Sequence, residues 1–451
     1  MKKPALALLF ILCSSLSISA ERKFVQPELI IDDRFTIELA AAPPLVEHPM
    51  LATIDPQGRM FISESDGQNL QKAELLKQRP RFVRMLEDTD RDGVYDKSTI
   101  FADKMVMPEG ALWHQGALYI ISSPYLWRLE DTDGDGVADR RDKIMGYMEF
   151  DGRANQHGPW LGPNGLLYFT GGIFGYDLVG SDGVHAVKGT SAGVFACRTD
   201  GSGIRVICHA GINPVELAFT PWGDMLGTCA IFDSVGGRHD SLNHWIHGGQ
   251  YGPKDYGSTR EGPASLKRTG YRLGTVVRWG QVAPAGLLRY RGRHLGKDFL
   301  GDFFSCHFNT HEVRHSSLVP SGSTFGAEDE VFLRSPSIDF HPTDVLEDHD
   351  GSLLVIDTGG WLSWGCPTSK LAKPQLRGAI YRIRRKGGAG TTDPLGSKID
   401  WKNGSHRYLA SLLADERPRI RDRARETLVT RGTKSEKALI SFLSGNKNPE
   451  A

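Results

Sequence analysis

His157, in the segment NQHGPWLGPNGLLYFTGG that begins at Asn155, has the chemistry of a proton carrier. A neutral imidazole can take a proton from a hydroxyl, and a nearby carboxylate orients the ring and stabilises its charged form. Three carboxylates hold matching positions elsewhere. Glu109, Glu216 and Asp344 each lie seven residues before a turn glycine, Gly116, Gly223 and Gly351. His157 lies eight before Gly165. In a regular strand that one step turns a side chain to the other face, so joining the carboxylates requires an irregular corner at Gly158-Pro159. Arg153 precedes the same corner and is suited to an anionic cofactor or a developing oxyanion. His48 and His341 stand beside two further corners. The three carboxylates could instead gather a cation, and His157 could simply bond inner-strand backbone. Spacing alone leaves these readings open.

Two acidic loops are near copies, LEDTDRDGVYD from Leu86 and LEDTDGDGVAD from Leu129. Each has carboxylates at loop positions 1, 3, 5 and 9 and glycine at 6. Close carboxylates repel unless a hard cation joins them, and the glycine permits the tight turn that gathers their oxygens. The second loop offers Asp131, Asp133, Asp135 and Asp139, with Asp142 at position 12. The first offers Asp88, Asp90, Asp92 and Asp96, with Thr99 at position 12. Calcium in a structural role is the expectation; an acidic turn in water is the alternative. A third string, LEDHDGSLLVID, lacks the ladder, and Asp348 and Asp350 read as turn residues.

His239, His244 and His247 crowd the segment RHDSLNHWIHGGQYG. They suit either a zinc or copper site or a loop lining a cleft. His307, His311 and His315 fall in CHFNTHEVRH, where strand alternation explains them equally well. Trp361 and Trp364, in GGWLSWGCP, are candidate platforms for a sugar ring. With His48, His244 and His247 they form the expected ligand-contacting set.

These residues are positioned by an internal repeat. A polar or proline corner, a short strand, a glycine turn and a second apolar strand recur from His48, Met107, Asn155, Asn213 and His341. A weaker copy from Ala283 makes six units at a mean spacing of about sixty residues, too small to bury an apolar face alone. The predicted fold is all-β, a six-bladed β-propeller over residues 28–386, with Ala379–Arg385 as its closing strand. A seven-bladed ring is the alternative, because the insertion from Asp233 to Val276 is long enough to hide strands. Residues 387–404 read as a linker of turn formers. Residues 405–451 have apolar residues at helical spacing and read as a short HEAT-like α-helical segment.

Residues 1–20 read as a signal peptide: Lys2 and Lys3, a short apolar run, then small residues before a cut near Ala20. That implies a periplasmic or secreted product without a transmembrane span. Net charge is zero and no basic block occurs, which argues against a nucleic-acid partner. An oxidising compartment permits disulfides, and Cys197 and Cys208 flank the turn Asp200-Gly201-Ser202-Gly203, so they are the expected pair.

The segments FTIELAAAPPLVEHPMLATIDPQGRMFISE, LEDTDRDGVYDKSTIFAD, NPVELAFTPWGDM and LNHWIHGGQYG together resemble the exported "membrane-bound dehydrogenase" propeller domain of planctomycetes and verrucomicrobia, over roughly residues 22 to 386. That group is similar to soluble pyrroloquinoline-quinone (PQQ) glucose and sorbosone dehydrogenases, whose catalytic base is a histidine ahead of a G-R-L-x-x-G-P-D-G-x-L-Y string. Here His157 precedes GPWLGPNGLLY; Trp160 stands at the usual arginine position, and the following leucine comes one residue early. The resemblance implies an oxidoreductase acting on a sugar or polyol, with PQQ as cofactor and a periplasmic electron acceptor as partner. A carbohydrate- or protein-binding propeller without chemistry, and a sugar-active lyase or hydrolase, remain the rival readings.

Overall fold

The computed structural model describes residues 24–150, 156–233, 237–251, 273–362, 373–388 and 390–446, with side chains of 231–238 excepted. Six antiparallel sheets follow one another around a central channel. Their inner strands are Pro49–Ile54, Leu112–His114, Gln156–Leu161, Asn213–Phe219, Pro284–Arg289 and Pro342–Glu347. These are the six repeat units, including the weak copy from Ala283. The ring is a six-bladed propeller. Its closure differs from expectation in one respect. Ala379–Arg385 is the third strand of the last blade, and the outermost place is taken by Phe35–Ala41 from the other end of the chain. Hydrogen bonds between chain ends thus lock the ring.

Each sheet is apolar on both faces because it is packed between two neighbours. Among the described residues, six apolar clusters accordingly lie one at each junction. Phe169 and Phe195 stack with centroids 5.4 Å apart between the second and third blades. Phe61 and Phe101 meet edge-on at 4.8 Å between the first and second.

The inner strands are not regular. The register shifts within five of them: between Pro49 and Ala52, His157 and Trp160, Pro214 and Leu217, Pro284 and Leu287, and Pro342 and Asp344. A bulge leaves one residue unpaired and re-aims the side chains beside it. All these shifts lie near the strand start, toward one mouth of the channel. The turn glycines Gly58, Gly165, Gly223 and Gly351 lie toward the other.

The expected Cys197–Cys208 disulfide is absent; both thiols are free and buried. The reason is register. Cys208 pairs with Val194, and a shift follows between Val194 and Phe195. Cys197 packs between the second and third blades, and Cys208 between the third and fourth. The two side chains therefore serve opposite faces of one sheet.

Three helices follow the ring: His406–Ser411, Pro418–Thr430 and Glu436–Gly445. The preceding linker is tied down. Arg417 donates to the Asp393 carbonyl at 2.7 Å, and Ile399 and Trp401 pack with Leu409, Ile420 and Leu428. The middle helix covers the glycine-turn mouth of the channel. Arg291 of the fifth blade grips Asp422 through two hydrogen bonds, 3.1 and 2.6 Å. His114 of the second blade meets Glu426 at 2.8 Å, and Arg419 donates to the Glu347 carbonyl at 2.8 Å. Burial works against the Asp422 charge, but Arg291 beside it holds the carboxyl well below the usual range. No described helix is long and apolar enough to cross a membrane.

A bidentate, partly buried arginine–carboxylate pair is strong in part because breaking one side strands the other charge. Asp422→Asn is therefore expected to cost about 1–3 kcal/mol of docking stability. Hydrogen exchange should quicken across Pro418–Thr430 while the inner strands stay protected. Unchanged exchange in that helix would show that the pair does not hold the cap.

Candidate functional site

The mouth opposite the cap is built from the strand starts. Glu109 precedes the second inner strand and His157 begins the third. They meet because Gly158 donates its backbone N–H to the Glu109 carbonyl at 3.0 Å. Gly110 makes this approach possible: its φ is +120°, and a Cβ there would lie 2.5 Å from the Gly158 carbonyl oxygen. The bulge after His157 supplies the irregular corner that the spacing required. As a result His157 Nδ1 lies 3.9 Å from Glu109 Oε2. That gap is too long for a hydrogen bond and short enough to become one when the ring is charged.

Both His157 ring nitrogens and Asn213 Oδ1 are buried without a well-formed hydrogen bond. Burial pushes the His157 pKa down to about 4, partly offset by the facing Asn213 side chain. The ring is thus neutral at pH 7. One nitrogen is free to accept a proton, and a carboxylate stands beside the other.

Arg81 joins this group and was not anticipated. It begins the third strand of the first blade and is 4% exposed. Its guanidinium lies over the Trp361 ring, 5.1 Å from the centroid, and feels the charges of Glu109 and Asp66. A signal existed: Arg81 is in phase with the buried Val83 and Met85, so alternation already pointed it inward.

The other predicted residues divide. Glu216 and Asp344 lie deeper, along a cavity of about 340 Å³ between the inner strands and the capping helix. Trp160 donates to Glu216 at 2.9 Å, and Asp344 accepts from Ala52 N at 2.9 Å. Burial raises both carboxyls, and each raises the other's cost of ionisation. The expected carboxylate trio is therefore one residue beside His157 and a coupled pair below it. His48 is buried, with its ring nitrogens 3.2 Å from the Thr358 and Pro374 carbonyls. Trp361 is 1% exposed, covered by Arg81, and donates to Thr358 Oγ1 at 2.8 Å. It supports the arginine rather than offering a bare platform. Arg153 and Trp364 lie outside the described residues.

His244 and His247 do not reach this mouth. His244 pairs in register with Leu226, beside the Gly223 turn, and its ring nitrogens face Thr324 Oγ1 at 3.1 Å and Asp224 at 3.4 Å. His247 is exposed on the following turn. The acidic loops also lie on the capped side, after the third strands of the first and second blades. Within each, one carboxylate oxygen from Asp88, Asp90 and Asp92, or from Asp131, Asp133 and Asp135, comes within 4.8 Å of the others. Asp96 and Asp139 instead accept from the hydroxyls of Thr89 and Thr132, at 2.6 and 2.7 Å. Asp142 pairs with Arg140 at 2.8 Å. Each loop thus presents three convergent carboxylates, not four or five.

The depressed pKa of His157 has a stability consequence. Between pH 6.5 and about 4 the unfolded chain binds a proton at this residue that the folded chain refuses. Its contribution is complete above pH 6.5 and is lost as pH falls toward 4, on the order of 3 kcal/mol in all. Denaturant titrations should show His157→Gln losing less stability than wild type over that window. Parallel losses would mean that the ring is not desolvated.

No curated protein matches the chain in sequence. Among solved structures, the PQQ domain of pyranose dehydrogenase from Coprinopsis cinerea, in its holo form, aligns with a TM-score of 0.53 at 11% identity, covering 80% of this chain and 98% of that one. The calcium structure of a Trichoderma reesei carbohydrate-active enzyme of family AA12 aligns with a TM-score of 0.51 at 12% identity, covering 82% and 100%. At such identities the likeness concerns the fold. The family itself is shown by sequence over residues 26–386: the chain belongs to the domain family of unknown function DUF7133.

Proposed function

We propose that this protein is an exported oxidoreductase that oxidises a hydroxyl of a sugar or polyol, with PQQ as the acceptor. The observation that carries the reading is the neutral, buried His157 ring, without a well-formed hydrogen bond and 3.9 Å from Glu109. A proton acceptor is needed when hydride leaves a carbinol carbon, and it must be uncharged beforehand. His157 meets both conditions. Once protonated, the ring draws Glu109 into a charge-assisted hydrogen bond, which stabilises the imidazolium as it forms. Asn213 faces the same ring, and its amide oxygen, which makes no well-formed hydrogen bond, can orient a hydroxyl.

The polar atoms left without a well-formed hydrogen bond here are of the kind that a hydroxyl-bearing ligand and a quinone carbonyl would engage. Bound there, the quinone would supply the two-electron sink. The likeness to the PQQ domain of pyranose dehydrogenase supports the choice of cofactor by analogy of fold. Likeness to the exported propellers of planctomycetes and verrucomicrobia supports the same reading.

Dye-linked oxidation of a sugar and polyol panel, with PQQ and calcium added, tests this directly. His157→Ala should lower turnover by about 10²–10⁴-fold with little change in folding. Tight sugar binding without turnover would return the chain to a non-catalytic binding propeller. Product formed without any acceptor would favour a lyase or hydrolase.

Calcium belongs to the same reading, held by Asp131, Asp133 and Asp135 and by Asp88, Asp90 and Asp92, away from His157. A chelator should lower Tm of the wild type, and an Asp131→Asn, Asp88→Asn double variant should lose that response. An unchanged wild-type Tm would remove calcium from the loops.

A further inference from the structure

Arg81 is buried in a way that the fold does not explain. A charged group taken out of water costs several kcal/mol unless it is paired and fully hydrogen-bonded. Arg382 follows that rule, and Arg421 keeps backbone acceptors although its Nε also lacks one. Arg382, 3% exposed, donates to Asp348 at 2.6 Å and to the Gly93 carbonyl at 3.1 Å. Arg421, 7% exposed, donates to the Asp415 carbonyl at 2.8 Å. Arg81 is 4% exposed, yet among the described residues its guanidinium makes no hydrogen bond and no ion pair, and its Nε is sealed from solvent. Asp66, which it feels at longer range, already accepts from Gln68. The Trp361 ring beneath it offsets only part of the desolvation.

What the position does have is a neighbour with chemistry. Arg81 feels the charge of Glu109, and Glu109 borders His157. A planar guanidinium with free donors, held rigid over an aromatic ring, is built to receive a carboxylate in bidentate fashion. We propose that Arg81 is a carboxylate-binding subsite beside His157, and that it takes the acid group of a sugar acid such as a uronate. The inference rests on the reading of His157 and Glu109 as the working centre. It adds to that reading the substrate class: an anionic sugar, not a neutral one. A carboxylate of the quinone has the same chemistry, so the test must separate the two sources.

Isothermal titration of the wild type with D-glucuronate, D-glucose and PQQ, each alone, reads binding without requiring turnover. Glucuronate is expected to bind at least 10-fold more tightly than glucose. Arg81→Gln should remove that preference, a loss of about 10- to 100-fold for glucuronate, while glucose binding is unchanged. Its Tm should equal or exceed that of the wild type, because a desolvated charge has been removed. Arg81→Lys should recover part of the affinity. Equal wild-type binding of acid and neutral sugars would overturn the proposal whether or not the variants fold. So would a variant that loses only PQQ binding, which would assign Arg81 to the cofactor, or one that loses stability and leaves binding alone. Glucuronate binding that depends on Arg81, without dye reduction, would keep the subsite and sink the dehydrogenase.

Discussion

The axis of the ring is where the whole architecture is constrained. Six inner strands converge there, and five of them break register near their starts. Each of these bulges frees backbone groups that burial would otherwise leave without partners. Neighbouring blades supply those partners. Asp344 of the last blade accepts from Ala52 N of the first at 2.9 Å, closing the ring at its seam. Gly158 N reaches the Glu109 carbonyl across the second junction at 3.0 Å. Trp160 reaches Glu216 across the third at 2.9 Å. The polar residues on the axis therefore hold the blades in register first, and only those near one mouth remain available for chemistry.

The two mouths have been resolved in opposite ways. On the capped side each charge that the helix brings down finds a counter-charge or carbonyl: Asp422 with Arg291, Glu426 with His114, Arg419 with the Glu347 carbonyl. That side still leaves Arg419 Nε and Glu347 Oε1 buried without a hydrogen bond, but its principal charges are matched. The other side keeps buried polar atoms that no protein group satisfies, at His157, Asn213 and Arg81. Unsatisfied buried polar groups are costly, and they persist where a ligand completes them. The asymmetry also accounts for the helical tail. Its middle helix faces the channel with Arg419, Asp422 and Glu426, whereas Val429, Ile440 and Leu443 remain more than half exposed on the outside.

Much of this was legible from residue order. Short apolar runs and regularly placed glycines gave the six units, because inter-blade packing demands an apolar face on both sides of each sheet. What spacing could not reveal was local register. Counting residues showed that His157 needs an irregular corner to join Glu109 but not whether one forms; the bulge before Trp160 supplies it. The same arithmetic paired Cys197 with Cys208, and the shift after Val194 separated them. Strand direction defeated the grouping of His244 and His247 with the mouth, since residue order does not say at which end of a blade a strand stops. Arg81 was missed for another reason. Its parity with the buried Val83 and Met85 was the cue in residue order that it points inward, and no motif drew attention to it.

Burial sets the electrical character of the mouth. It drives histidines toward their neutral form: His157 and His341 down to about 4, His307 to about 3. It drives carboxyls toward their protonated form, taking Asp357 up to about 7 and raising Glu216 and Asp344. The two shifts act oppositely on stability, the histidines favouring higher pH and the acids lower, so they partly cancel across the mildly acidic range. Their effects on the field do not cancel. Each removes a charge from the axis. Glu109 is spanned by the His157 ring and, at longer range, by Arg81. In surroundings so stripped of charge the Arg81 guanidinium is weakly screened, and its attraction for an anion is correspondingly stronger than at a solvated surface. The same desolvation that prepares His157 to accept a proton thus equips its neighbour to choose what is bound beside it.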